Sequence, residues 1–458
     1  MAASLNQAGP KALVVATGRW PISGRISLSL KQAGFRIAAV SPKDAPTWRM
    51  ESVSRNFTYQ RRSGRASILN AIRAWDPEFL VCGDDHAVAL LHEIHARAKY
   101  LEAEHSLADL IEKSLGNSAF FALTDKKSKF IQFAASHGML CPATREISLA
   151  DAANEVERLE YPVLLKADGS TGGACVRLVQ NADQALRTIY EFELPLSWPG
   201  VVRAWAARII PFAVLKRLVG LRRAISSQAY VEGPAANIGV ACWQGEMLAW
   251  TAVEVVETAY TFGNATLVNV VKESPMVAAA QAVVRDLKLS GLVGLDFVLD
   301  QRGRAFLIEL NPRVTPTCYL RAEGGGDLAG ELYRRLTGKA PRVPPEGVKS
   351  APIALFPQEL ERLLSGQTRT CRQIDIPWDD PQLVVMLLKT VFITAIRKRI
   401  GARRRNRAQL GDLRSRSRNV TGAVVPGVEK SGWSMLKNRR ADASPVSEAE
   451  RTNEVWKG

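Results

Sequence analysis

The residues best placed to do chemistry lie in Gly291–Arg313, GLVGLDFVLDQRGRAFLIELNPR, where Asp296 and Glu309 each interrupt an apolar run. The runs LVGLDFVL and RAFLIEL are parted by Asp300-Gln301-Arg302-Gly303. A polar, glycine-containing break between two β-rich runs predicts a hairpin. With Gln301–Arg304 as the loop and Asp300 facing Ala305, antiparallel pairing sets Asp296 directly opposite Glu309. The two-residue period then puts Asn311 on the face of Glu309. Like charges in direct opposition destabilise a sheet, so two carboxylates and an amide oxygen converging there suit a hard cation. Mg²⁺ fits: it takes oxygen ligands, uses one or two carboxylates and completes its shell with water and phosphate oxygens. Pro312 ends the strand, and Arg313 adds a fixed positive charge. The plain alternative is a surface hairpin with one solvated polar face.

Three upstream segments bear on that choice. Thr124-Asp125-Lys126-Lys127-Ser128-Lys129 opens a predicted helix through Ser136, with Gly138 as its C-cap. Lysines at a helix start oppose the macrodipole, an arrangement that makes sense beside an anion. Tyr161–Val176, YPVLLKADGSTGGACV, reads as a strand ending in Lys166, a loop with Gly169, Gly172 and Gly173, and a second strand. Such glycines let backbone N–H groups approach a phosphate. It is not a P-loop, which needs GxxxxGK[ST] before a helix. Ser227–Gly233, SQAYVEG, is a short strand closing on Gly233-Pro234. Ile238–Cys242 and Met247–Val255 continue a sheet through a Gln244-Gly245 turn, and Gly263–Val271 is less regular. Taken singly, each segment also has a plain reading, as a solvated basic turn or a ligand-free glycine hairpin.

The elements that must position these groups begin near the N-terminus. Lys11–Ala16, Phe35–Val40 and Glu78–Cys82 read as strands, and Ser27–Ala33 and Ile68–Trp75 as helices. This alternation predicts a parallel βαβ sheet whose functional loops, Thr17-Gly18 and Gly83–His86, lie at the carboxyl ends of strands. No GxGxxG is present, so a dinucleotide fold is not supported. His92 and His95 are three apart rather than the four of HExxH, in an ordinary helical pattern.

The 458 residues suffice for two to four domains, and 47% hydrophobic content supports a proper core. No apolar run is long enough to span a bilayer, no secretory signal is visible, and the six scattered cysteines form no CxxC. A reduced, cytoplasmic setting is expected. The net charge of +16 is concentrated in two segments. Arg397–Arg418 holds ten Lys or Arg against one acid, Asp412, and Val201–Arg223 holds six against none.

In this order and spacing, the DK at a helix start, YPVLLK with its glycine loop, QAYVEG, and GLDF…IELNPR together resemble the ATP-grasp superfamily of ATP-dependent ligases. Biotin carboxylase and the carbamoyl-phosphate synthase large subunit are relatives of this kind. The match runs from about Phe120 to Gly338, with 11–118 similar to the family's preceding α/β domain. The resemblance implies a mixed α/β and α+β chain: a Rossmann-like parallel domain (1–118), an ATP-grasp domain (119–340, lid subdomain about 140–232), an appended region (341–400) and a basic tail (401–458). It implies that Lys126 and Lys166 hold ATP phosphates and that Asp168–Ala174, with Gly172 and Gly173, closes over them. Gln228, Ala229, Tyr230, Val231 and Glu232 would form the hinge that holds adenine. Asp296, Glu309 and Asn311 would bind Mg²⁺, with Mn²⁺ as a substitute, and Arg313 would steady the transferred phosphate. One departure stands out: the acid that relatives place after the hinge to hold ribose is replaced by Pro234-Ala235-Ala236-Asn237, leaving Glu232 or Asn237 as substitutes.

The implied activity is activation of a small-molecule carboxylate as an acyl-phosphate for attack by an amine or similar nucleophile. A biotin carboxylase-type reaction fits less well, because no biotin-carrier segment is found. A non-catalytic nucleotide- or polyanion-binding protein on the same fold is the alternative. For Arg397–Arg418, three readings stand: an anionic membrane surface on the inner face of a membrane, where each cation contributes about 1 kcal/mol; nucleic acid; or a solvated tail. The tail lacks interleaved aromatics for base stacking, which weakens the nucleic-acid reading.

Overall fold

The computed structural model describes residues 9–124, 127–167, 175–193, 224–259, 262–272, 274–321, 326–342, 352–364, 366 and 373–393. The glycine loop 168–174, Lys126, the basic insert 201–223 and the tail beyond 393 lie outside the described residues.

The first unit of structure is a parallel four-stranded sheet in the order β3-β2-β1-β4: β1 (Lys11–Val15), β2 (Arg36–Ser41), β3 (Arg55–Thr58) and β4 (Phe79–Cys82). Ala12 to Val15 are fully buried, which is why these strands read as unbroken apolar runs rather than as alternation. Helices α1 (Pro21–Ala33), α2 (Gly64–Trp75), α3 (Asp85–Ala98) and α4 (His105–Leu115) surround it. α1 starts six residues before the predicted Ser27, because Pro21 supplies the fixed φ of a first helical turn. β3 has too little apolar character to be foreseen. His92 stacks on Phe121 with ring centroids 3.8 Å apart, and His95 Nε2 lies 2.9 Å from Glu112, so the histidine pair is packing and pairing of α3.

The second unit is an antiparallel six-stranded sheet in the order β13-β12-β9-β10-β11-β14. Its strands are β9 (Ala235–Trp243), β10 (Glu246–Thr258), β11 (Ala265–Val271), β12 (Gly291–Leu299), β13 (Ala305–Asn311) and β14 (Ile353–Ala354). The β9–β10 turn uses Gln244 and Gly245, both at positive φ (49° and 90°), as a tight hairpin requires. The irregular look of Gly263–Val271 matches a strand, β11, whose pairing with β10 is interrupted by register shifts near Ala265–Leu267 and which is held between two partners. α9 (Met276–Asp286) covers one face, packed on β9 and β10, with Met276, Ala280, Val283 and Val284 buried.

The third unit is a smaller antiparallel sheet, β5-β8-β6-β7: β5 (Thr144–Glu146), β6 (Val163–Ala167), β7 (Val176–Val179) and β8 (Ile225–Ala229). α7 (Ala152–Glu157) and α8 (Ala182–Glu193) seal its core. α5 (Phe121–Thr124) and α6 (Lys127–Ser136) lead into it, with α6 packed on the six-stranded sheet through Phe130, Ile131 and Ala134.

After α10 (Leu328–Thr337), the chain returns: β14 extends the six-stranded sheet, α11 (Gln358–Leu364) follows, and helix α12, residues 381–393, packs on α1 through Leu383 and Leu387. An ion pair locks this return. Arg25 Nη2 of α1 lies 2.7 Å from Asp375 Oδ2, at 9% and 11% exposure, with the guanidinium 4.1 Å from the Tyr319 ring centroid. Breaking one member of such a pair leaves a charge buried and unpaired. Asp375→Ala should therefore lower stability by about 3–5 kcal/mol, read as an earlier midpoint in urea denaturation. An unchanged midpoint would show that the pair does not anchor the returning segment.

Candidate functional site

The hairpin of β12 and β13 brings the carboxylates together, by a route one residue different from the expected one. At the loop end Leu299, not Asp300, faces Ala305. Asp300 instead organises the turn: its carboxylate accepts from the Arg302 N–H (3.0 Å), the Arg304 N–H (2.8 Å) and Arg304 Nε (2.8 Å). A bulge at Ile308 on β13 then absorbs one residue, and Asp296 meets Glu309 while Gly294 meets Asn311. A bulge re-aims side chains beside it. Here it sets both acids and Asn311 in the expected register.

The two acids are compensated from different directions. Asn237 Nδ2 on β9 donates to Asp296 Oδ1 at 2.6 Å, and Asn311 Nδ2 donates to Asp296 Oδ2 at 2.9 Å. Lys127 Nζ, at the start of α6, lies 2.6 Å from Glu309 Oε1. Burial and the opposing Glu309 charge push the Asp296 carboxyl up to about 6, against the pull of the two amides. Burial works against the Lys127 charge, but Glu309 outweighs it and holds the ammonium above its ordinary value. Lys166, on β6 of the small sheet, donates to Gln228 Oε1 at 2.6 Å, and Gln228 Nε2 donates to Thr144 Oγ1 at 3.0 Å. Burial lowers the Lys166 ammonium; Glu309 opposes that and Lys127 adds to it. The fields of the small sheet's lysine and the large sheet's acids thus act on one another.

Arg313 ties this cluster to the parallel sheet. Its Nη2 donates to Asn311 Oδ1 (3.1 Å), and its Nε and Nη2 reach the two Asp85 oxygens at 2.7 and 3.2 Å. Asp85 opens α3 at the carboxyl end of β4. Its neighbour Asp84 caps that helix through the Ala87 N–H (2.9 Å) and accepts from the Thr17 N–H (2.6 Å), Thr17 Oγ1 (2.7 Å) and the Gly18 N–H (3.3 Å). The two predicted substrate loops, Thr17-Gly18 and Gly83–His86, are therefore joined by one carboxylate.

Of the expected site residues, Asp296, Asn311 and Arg313 are linked by hydrogen bonds, with Glu309 opposite Asp296; Lys166 is bonded to Gln228 and feels the charge of both acids, while Lys126, Gly172 and Gly173 lie outside the described residues. Gln228 and Ala229 close β8, with the Ala229 N–H bonded to the Ala143 carbonyl at 2.8 Å. Tyr230 is exposed, and Glu232 reaches Gln301 at the hairpin loop at 3.3 Å. Gly233, at φ +156°, passes so close to β12 that a Cβ would lie 1.7 Å from the Leu299 carbonyl oxygen. Three further contacts complete the group. Asn237, the candidate for ribose, donates to Asp296, and Thr317 Oγ1 donates to its amide oxygen. Lys127 makes the contact to Glu309, and Asp85 holds Arg313. The only signals in sequence were a polar residue breaking the β9 apolar run, the lysine after Lys126, and an acidic βα loop.

Among the described residues no three His, Cys, Asp or Glu side chains gather as a metal cluster, so the donor set at the hairpin is two carboxylates and an amide. That is an oxygen set suited to Mg²⁺ rather than to a softer metal.

Residues 218–317 match the family model described as ATP-grasp domain. The fold is similar to that of the biotin carboxylase domain of 2-oxoglutarate carboxylase from Hydrogenobacter thermophilus, solved with MgADP, ADP and bicarbonate (TM-score 0.53, 15% identity, 75% of this chain and 73% of that one). It is also similar to carboxyaminoimidazole ribonucleotide synthase from Aspergillus clavatus complexed with ATP (TM-score 0.52, 16% identity, 75% and 81%). A third similar structure is N5-carboxyaminoimidazole synthetase from Staphylococcus aureus complexed with ADP (TM-score 0.50, 12% identity, 75% and 80%). A parallel sheet leading into a small and a large antiparallel sheet gives the chain a fold similar to these ATP-grasp structures, and residues 218–317 match the ATP-grasp domain.

Proposed function

We propose that the protein is a Mg²⁺-dependent ligase that uses ATP to activate a small-molecule carboxylate for attack by an amine or similar nucleophile. The observation that carries this reading is the opposed pair Asp296 and Glu309, with Lys127 from α6 paired to Glu309 and Arg313, just past β13, bonded to Asn311. Structures of this fold are solved with ATP, ADP or MgADP, which supports a nucleotide here.

Asp296, Glu309 and Asn311 would hold Mg²⁺, which would neutralise phosphate charge. Asn311 is hydrogen-bonded to both Asp296 and Arg313, so a ligand that engages its amide oxygen also resets the arginine. Phosphoryl transfer asks a protein for positioning and positive charge more than for a nucleophile. Lys166 and Lys127 supply that charge beside the acids. In the proposed reaction the bond from the γ-phosphorus to the ADP oxygen breaks as the substrate carboxylate oxygen bonds to phosphorus. The amine nitrogen then attacks the acyl carbon, phosphate leaves with the C–O electron pair, and the nitrogen gives up a proton. Arg313 sits between the acids and the Thr17-Gly18 and Asp84-Asp85 loops, where a carboxylate bound by those loops would meet the nucleotide.

A second reading, nucleotide binding without ligation, is favoured by one observation. Asn237 is committed to Asp296, and Pro234-Ala235-Ala236 provides no acid for ribose.

Phosphate release from Mg·ATP, measured against pooled carboxylates and amines, separates the two readings. The ligase reading expects release that depends on particular additives and falls by about 10²-fold or more in Glu309→Gln and in Lys166→Ala. Glu309→Gln relieves a like-charge opposition but also removes the partner of half-exposed Lys127, so its thermal midpoint should change little. Full turnover in either folded variant would remove the assignment. ATP binding with no release for any additive would favour the binding reading. Asn237→Ala should cut the apparent Mg²⁺ affinity by about 10- to 100-fold, as loss of a group that orients a ligand does. A metal titration of ATP turnover reads this directly.

A further inference from the structure

We infer that the outer face of α12 is a docking surface for an anionic lipid membrane, with the arginine-rich segment that follows it in sequence as the second anchor. α12 buries Leu383, Val384, Met386, Leu387 and Val391 against the body of the protein. Its other face is not the polar one expected of a surface helix. Val385 is 43% exposed, Phe392 50% and Ile393 49%, and Trp378, just before the helix, is 70% exposed. Positions 385, 389 and 392 fall on one stripe at helical spacing, and Lys389 is the one ionisable residue between Gln382 and Ile393. An outward face that sets exposed Val385, Phe392 and Ile393 around a single cation, Lys389, suits an interface between an apolar and an anionic layer.

Charge selects the occupant. Thr394-Ala395-Ile396 separate Ile393 from Arg397–Arg418, with its ten Lys or Arg against Asp412 alone. Stable attachment of a peripheral protein to a bilayer takes two signals, and an apolar insertion beside a polybasic segment supplies both. Trp and Phe suit the headgroup boundary. A nucleic acid would use the cations and leave the apolar stripe without a role. A second copy of this chain would bring a like-charged segment to the same place. Among the described residues no helix is long and apolar enough to cross a membrane, so the association would be peripheral.

The test is flotation of the full-length protein with phosphatidylcholine vesicles, with and without phosphatidylglycerol. Binding should require phosphatidylglycerol and weaken as salt rises. It should fall at least about ten-fold both in the double variant Phe392→Ser with Ile393→Ser and in the triple variant Arg403→Gln, Arg404→Gln, Arg405→Gln, the loss expected when one of two anchors is removed. Circular dichroism verifies that the variants fold, and the charge variant leaves α12 untouched. Equal binding to both vesicle types, or none, overturns the proposal. So does RNA binding that survives the apolar variant in the absence of vesicle binding. A dimer lost in the apolar variant would give the stripe to a second copy and equally overturn it.

Discussion

Two carboxylates set face to face across a β-hairpin are the constraint around which this molecule is built. Asp296 and Glu309 repel each other, and the sheet alone cannot relieve them. Relief comes from groups delivered by separate parts of the chain: Lys127 from the start of α6, Asn237 from the neighbouring strand β9, and Arg313 through Asn311. Each compensation also fixes a distance between elements. The cluster is therefore both a source of repulsion within the hairpin and a reason for the surrounding elements to sit where they do.

The scaffold's task is to hold those elements steady. The six-stranded sheet keeps Asp296 and Asn237 side by side through the β9–β12 register. The small sheet presents Lys166 with its ammonium gripped by Gln228, itself held by Thr144. The parallel sheet reaches the site through Asp85 on Arg313 and through the backbone bond from Val314 to Cys82 at 3.1 Å. Asp84 couples the two loops that would choose a substrate. The acidic hairpin and the two βα loops are thus joined through adjacent aspartates, Asp84 and Asp85.

Much of this was legible in the residues because each local choice agreed with its setting. Asp296, Glu309 and Lys166 stood out as charges breaking apolar strands, and the parallel sheet announced itself through short buried runs separated by helices. The hairpin register was harder. Facing Asp300 with Ala305 reaches the right opposition of acids with the wrong loop end, because a bulge at Ile308 is invisible without knowing that Asp300 caps its own turn. Asn237 and Asp85 were out of reach for a different reason. Their partners are 59 and 228 residues away, and only strand pairing and domain docking bring them together. The outward face of α12 was hidden similarly, because which of its residues are covered depends on how α12 packs against α1.

The most direct measurement is a crystal structure of the protein with Mn²⁺ and a non-hydrolysable ATP analogue, phased to show the anomalous signal of the metal. The account predicts a metal peak between Asp296 and Glu309, with Asn311 turned to offer its oxygen, Lys127 drawn off Glu309 and Lys166 on a phosphate. Nucleotide bound elsewhere, or a metal that bypasses both carboxylates, would contradict it.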